Sequence, residues 1–96
     1  MLIDCEGLPM KQIYLDLSRN DIDSIKKIAY LCESYRKWFN VDFQFGRYTI
    51  DGCSIVGILS LASNIVKVCP VPNDDEKAIM SFYKKLQPFG AYFGEE

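Results

Sequence analysis

The chain contains no histidine. That absence removes the commonest general base and the usual phosphorylatable imidazole. It also denies a zinc ion its nitrogen ligands. The four cysteines do not make up for the loss: Cys5, Cys32, Cys53 and Cys69 lie far apart, and none forms a Cys-x-x-Cys pair. Neither a metal nor a cofactor is expected. The chain opens with no signal-peptide pattern, and Cys32 and Cys69 sit inside apolar patterns. Reduced thiols and a cytoplasmic location are therefore expected rather than a disulfide framework. The apolar runs fall far short of a membrane span, so no membrane partner is expected. A dominant charge is missing too. The 11 basic and 13 acidic residues are mixed along the chain, giving a net charge of −2. With no basic patch in the sequence, nucleic acid is not an expected partner.

What the chain does have is enough apolar material for one domain. It has 96 residues, of which 49% are apolar and 14% aromatic. A chain of this size buries roughly 60–65% of its unfolded surface on folding. Residues 1–9 show no clear period and contain Gly7 and Pro9, so they read as an extension before a domain covering residues 10–96. Residues 12–18 alternate, with Ile13, Leu15 and Leu17 on one face and Gln12, Tyr14 and Asp16 on the other, which is a half-buried strand. Asn20 stands where an N-cap is needed, and Asp21 and Asp23 suit the positive end of a helix. From Ile22 the period is helical, running through Ile25, Ile28, Ala29, Cys32 and Tyr35 to an end near Lys37. Trp38 and Phe39 are expected to cover that helix end. Val41, Phe43 and Phe45 alternate in a second strand, and Gly46-Arg47 turns it into a third at residues 48–50.

Residues 65–71 form a fourth strand with Val66 and Val68 inward, closed by Pro70 and Pro72. A last helix carries Ile79, Phe82, Tyr83 and Leu86 at helical spacing, with acids at its start and lysines at its end. Pro88 and Gly90 stop it, and the aromatic tail beyond can pack back on the domain. The order is β-α-β-β-α-β-α. This is an α+β domain with three helices over one face of a small sheet, leaving Tyr14, Asp16, Asp42 and Gln44 for the open face.

The stretch with most chemical content is 48–61, where a strand runs through Asp51-Gly52 into a short apolar helix opened by Ser54. A serine there can cap the helix through its oxygen, and the same spot favours negative charge. Behind it Ile58 and Leu61 can share the core side, while Ile55, Val56 and Leu59 form a second stripe. That second stripe reads either as a docking surface or as the extra face of a fully buried helix.

The run Thr49-Ile50-Asp51-Gly52-Cys53-Ser54-Ile55-Val56-Gly57-Ile58-Leu59-Ser60-Leu61 resembles the segment around the regulatory serine of the HPr family, the phosphocarriers of the bacterial phosphotransferase system. Lys-Ser-Ile-Met-Gly-hydrophobic-Met-Ser-Leu is typical there. The element order is the family's as well, and the resemblance covers residues 10–86, specific at Ser-Ile-x-Gly-x-x-Ser-Leu and pattern-level elsewhere. It implies an open-faced β-sandwich with a four-stranded antiparallel sheet. It also implies a regulatory phosphorylation site at Ser54, made by an ATP-dependent HPr kinase. Ile22, Ile55, Val56 and Leu59 become partner-docking residues, toward enzyme I, sugar-permease subunits or a repressor. The family's phosphorylated histidine falls here on Asp23, and the arginine and proline of its motif are missing too. A phosphohistidine carrier needs the imidazole. The resemblance therefore implies not an enzyme or carrier but a histidine-less regulatory or binding module. Two other readings stay open: an orphan of the same fold with an interaction role outside sugar transport, and a working phosphocarrier. Cys53 stands where the family often has lysine, a departure that bears on kinase recognition.

Overall fold

The computed structural model describes residues 11–95. The expected boundary after residue 9 lies outside them. Strand β1 (Lys11–Asp16) leads through a 3-10 turn into helix α1 (Ile22–Ser34). Strands β2 (Asn40–Phe45) and β3 (Tyr48–Asp51) form a hairpin. Helix α2 (Ile55–Ser60), strand β4 (Ile65–Val71), helix α3 (Glu76–Leu86) and strand β5 (Ala91–Glu95) follow. The strands make one antiparallel sheet in the order β3-β2-β4-β1-β5. The domain is α+β with three α-helices, as the mixed periodicities imply.

Strand alternation sorts the two faces of the sheet. Ile13 and Leu15 of β1, Val41 and Phe43 of β2, and Val66 and Val68 of β4 are all buried. They form one cluster with Ile25, Ile28, Ala29 and Cys32 of α1, Ile58 of α2, and Ile79, Phe82, Tyr83 and Leu86 of α3. The helices therefore cover a single face. Each of the larger side chains gains on the order of 1.5–3 kcal/mol from full burial. Among the described residues no polar or charged residue is buried, so no unpaired charge opposes this core. At its centre Phe82 meets Tyr35 and Phe39 edge-on, with ring centroids 5.3 and 5.6 Å away. On the other face Tyr14, Asp16 and Asp42 are half-buried and Gln44 is exposed, as the alternation predicts.

Four expectations need correction. The sheet has five strands rather than four. After α3 the chain passes Pro88 and turns at Gly90, whose φ of 105° is in the left-handed region that favours glycine. It then pairs with β1, placing Ala91 inward and Phe93 against Tyr83, ring centroids 4.1 Å apart. So short a strand, with a small residue inward and Gly94 outward, carries little periodic signal. Second, the N-cap of α1 is Asp21, whose Oδ1 accepts from Ser24 N at 2.8 Å. Asn20 instead donates through Nδ2 to the carbonyls of Asp16 and Phe89, tying the start of α1 to the end of α3. Third, α1 ends at Ser34, and its first apolar residue, Ile22, lies exposed outside the stripe that faces the sheet. Fourth, of the aromatics expected to cover the helix end, Phe39 is buried, while Trp38 lies against the C-cap Tyr35, ring centroids 5.4 Å apart, and keeps its other side exposed. Phe45 is exposed too, because the β2–β4 register stops at Gln44.

Candidate functional site

The join between β3 and α2 is fixed by backbone contacts. Gly52 N donates to the Val41 carbonyl at 2.8 Å, and Gly52 is itself buried. A Cβ there would meet that carbonyl oxygen at 2.9 Å and Cys32 Sγ at 3.1 Å, so only glycine lets the turn lie this close to β2 and α1. Asp51 closes the turn: its Oδ1 accepts from Cys53 N at 2.9 Å, and its carbonyl accepts from Ser54 N at 3.0 Å. Ser54 is the N-cap of α2. Its Oγ accepts from Gly57 N at 3.1 Å, and its carbonyl accepts from Ile58 N at 2.9 Å. The hydroxyl is half-buried, and its own proton is not committed to a protein acceptor among the described residues.

Helix α2 turns Ile58 into the core and leaves the other three large apolar residues outside it. Val56 is 78% exposed, and Ile55 and Leu59 are exposed to 37% and 39%. Leu61, just past the helix, is buried. The two stripes legible in the sequence are thus separate, and the second faces solvent rather than a covering layer. Tyr48 and Phe45, opposed in the β2–β3 register, are exposed as well and add aromatic surface to the hairpin. Their exposure carries no signal in the sequence, because strand alternation assigns a face, not the place where cover stops.

The remaining candidates sit on α1, which packs against both α2 and α3. Ile22 and Asp23 are exposed in its first turn. Among the described residues no hydrogen bond or ion pair joins that turn to Ser54. The backbone N–H of Ser24 holds the Asp21 carboxyl below the usual carboxylate range. Beside the site, burial pushes the Cys53 thiol up, reinforced by the Asp51 carboxylate and only partly countered by Arg36. Burial pushes the Cys32 thiol higher still. Both are protonated at neutral pH and poorly nucleophilic. Cys32, Cys53 and Cys69 are free thiols. Among the described residues no cluster of ligating side chains could hold a metal ion, and no helix is long and apolar enough to cross a membrane.

The arrangement presents an exposed carboxylate at Asp23, protonated thiols at Cys32 and Cys53 and a capping hydroxyl at Ser54. It also offers a capped helix with an exposed apolar stripe, in which one hydroxyl sits at the edge of the surface. The chain matches no family model and no curated protein.

Proposed function

We propose that this protein is a binding or regulatory module resembling HPr without its histidine, related to the sugar phosphotransferase or catabolite-control system. It would act by docking protein partners through α2 and not by carrying a phosphoryl group. Its chief support is the α2 surface, where Ile55, Val56 and Leu59 stand exposed directly behind a serine that caps the same helix. The order β1-α1-β2-β3-α2-β4-α3, with all three helices on one face, supports the open-faced sandwich that the sequence resemblance implies, and β5 departs from it as a fifth strand.

In this reading Ser54 is the regulatory position. Its Oγ would attack the γ-phosphorus of ATP on an HPr kinase, the bond to ADP would break, and the hydroxyl proton would pass to a base of the kinase. The product gains roughly −1.5 to −2 charge. It would stand at the start of α2, where free N–H groups and the helix dipole accommodate an anion. That charge, next to Ile55, would alter any apolar contact made by the stripe. Asp23 takes no phosphoryl group in this scheme: it is an ordinary acid in the first turn of α1. Ile22 adds one exposed apolar residue on that helix. The partners are a kinase, enzyme I or a repressor; a role outside sugar transport is the competing reading.

The deciding measurement is intact mass after incubation with HPr kinase and ATP, with Ser54→Ala alongside. A gain of one phosphoryl group in the native chain and none in the variant is expected. No gain in the native chain would sink the regulatory-serine reading. Labelling by phosphoenolpyruvate and enzyme I would replace it with a working carrier.

A further inference from the structure

A second surface, remote in sequence from α2, lies where α1 meets the end of α3. A shallow, open groove there has Leu31 and Phe89 at its floor, Tyr30 projecting as a wall, and Lys26, Lys27 and Lys85 around it. Tyr30 is 76% exposed, among the least covered aromatic rings of the described residues, while Leu31 and Phe89 are half-buried. No carboxylate lines this groove. Lys85 also borders a neighbouring groove along α3, which Lys77, Lys84 and Met80 line together with Glu76. Its Nζ lies 5.4 Å above the Tyr35 ring, which holds it between the two. Two Lys-Lys pairs far apart in the sequence are thus brought onto one side of a protein whose net charge is −2.

From this juxtaposition we infer that the α1–α3 groove docks an acidic peptide segment of a partner protein, one that carries a large apolar anchor between its carboxylates. The floor accounts for the anchor. Tyr30, Leu31 and Phe89 present apolar surface that an aromatic or aliphatic side chain would remove from water. The rim accounts for the acids. Lysine stems lie along apolar surface with their ammonium groups outward, so carboxylates on either side of a seated anchor meet point charges without leaving water. Such a rim sets encounter rate and partner sign more than it sets final affinity. The site is independent of α2, and its success or failure leaves the Ser54 reading untouched.

The test is a titration of the isotopically labelled full chain, followed by amide chemical shifts, with three probes. The first is a short peptide of glutamates flanking one phenylalanine. The second is the same peptide with serine for phenylalanine, and the third is a short oligothymidylate. The first probe should shift Lys26, Tyr30, Leu31, Lys85 and Phe89 and leave Ile55, Val56 and Leu59 unmoved. Its affinity should fall as salt is raised. Lys26→Glu combined with Lys27→Glu should weaken it by about tenfold or more, because both rim charges change sign. Tyr30→Ser should weaken it by about fivefold through loss of the aromatic wall. Both positions are exposed, and an unchanged melting temperature identifies each loss as a binding effect. Equal or tighter binding of the serine peptide or the oligothymidylate would overturn the proposal, since either would mean a surface that attracts any polyanion. So would shifts confined to α2, or no shift at millimolar peptide.

Discussion

Helices α2 and α3 rest on the same core, yet they divide their apolar residues in opposite ways. In α3 the apolar stripe points inward: Ile79, Phe82, Tyr83 and Leu86 are buried, Glu76 occupies the first turn and Lys84 and Lys85 the last. In α2 only Ile58 is buried, and Ile55, Val56 and Leu59 face out. Both helices are capped in the same way, by Ser54 on Gly57 N at 3.1 Å and by Asp75 on Ala78 N at 3.1 Å. Cap chemistry therefore does not separate them; the direction of the apolar face does. A helix that spends its apolar side chains on the core explains itself through stability. One that leaves most of them in water is not explained by stability alone.

The sharpest way to break this contrast is to truncate one side chain on each helix. Phe82→Ala should cost about 3–5 kcal/mol, read from the denaturant midpoint, because a fully buried ring leaves a cavity. Val56→Ala should cost less than about 0.5 kcal/mol in the same assay. A cost near that of a core residue at Val56 would mean that the α2 stripe is packed, and the contrast would collapse. Gly52→Ala comes next. A new Cβ 2.9 Å from a backbone oxygen has no flexible neighbour to displace, so a loss of about 1–3 kcal/mol in thermal or chemical unfolding is expected. The caps should behave alike, with Ser54→Ala and Asp75→Ala each costing about 1 kcal/mol in equilibrium unfolding. A much larger cost at Ser54 would assign the residue to the core of the fold rather than to its surface.

The smallest effect belongs to the third capped helix. Asp21 has its carboxyl held below the ordinary value of 3.8 by Ser24 N. A depressed folded value means that its contribution is present above the unfolded value and lost as pH falls through the folded one. Asp21→Asn keeps a capping oxygen but cannot titrate. Unfolding curves should therefore show the native chain losing ground against this variant as pH drops through the acid carboxylate range. Parallel curves for the two proteins would remove the cap's electrostatic part.

Much of the fold is legible in the sequence because its long elements are strongly periodic. The stripe Ile79, Phe82, Tyr83 and Leu86 marks α3 residue by residue, and Val66 and Val68 mark the inward face of β4. The division of α2 between Ile58 and its outward neighbours is legible too, since helical spacing alone puts Ile55, Val56 and Leu59 on a separate stripe. What escapes is set by tertiary contact. β5 exists because Phe93 has Tyr83 to lie against and β1 has a free edge, and neither is visible in residues 91–95 taken alone. Asn20 and Asp21 are both good caps; Asp21 takes Ser24 N, while Asn20 turns to the carbonyls of Asp16 and Phe89. The lysine-rimmed groove is hidden for the same reason. Lys26 and Lys27 read as the polar face of one helix and Lys84 and Lys85 as the last turn of another, and only the packing of α1 on α3 makes them neighbours.

The pairing of β5 with β1 also decides how the domain can be connected to anything else. Lys11 and Glu95, the two ends of the described chain, are register partners in that ladder, so their Cα atoms lie about 5 Å apart. The two ends of the described chain therefore stand at a single corner of the sheet. A few residues would suffice to splice those ends together and open the chain instead at the exposed Gly46-Arg47 turn. Such a permuted domain should keep the β1–β5 ladder in its present register.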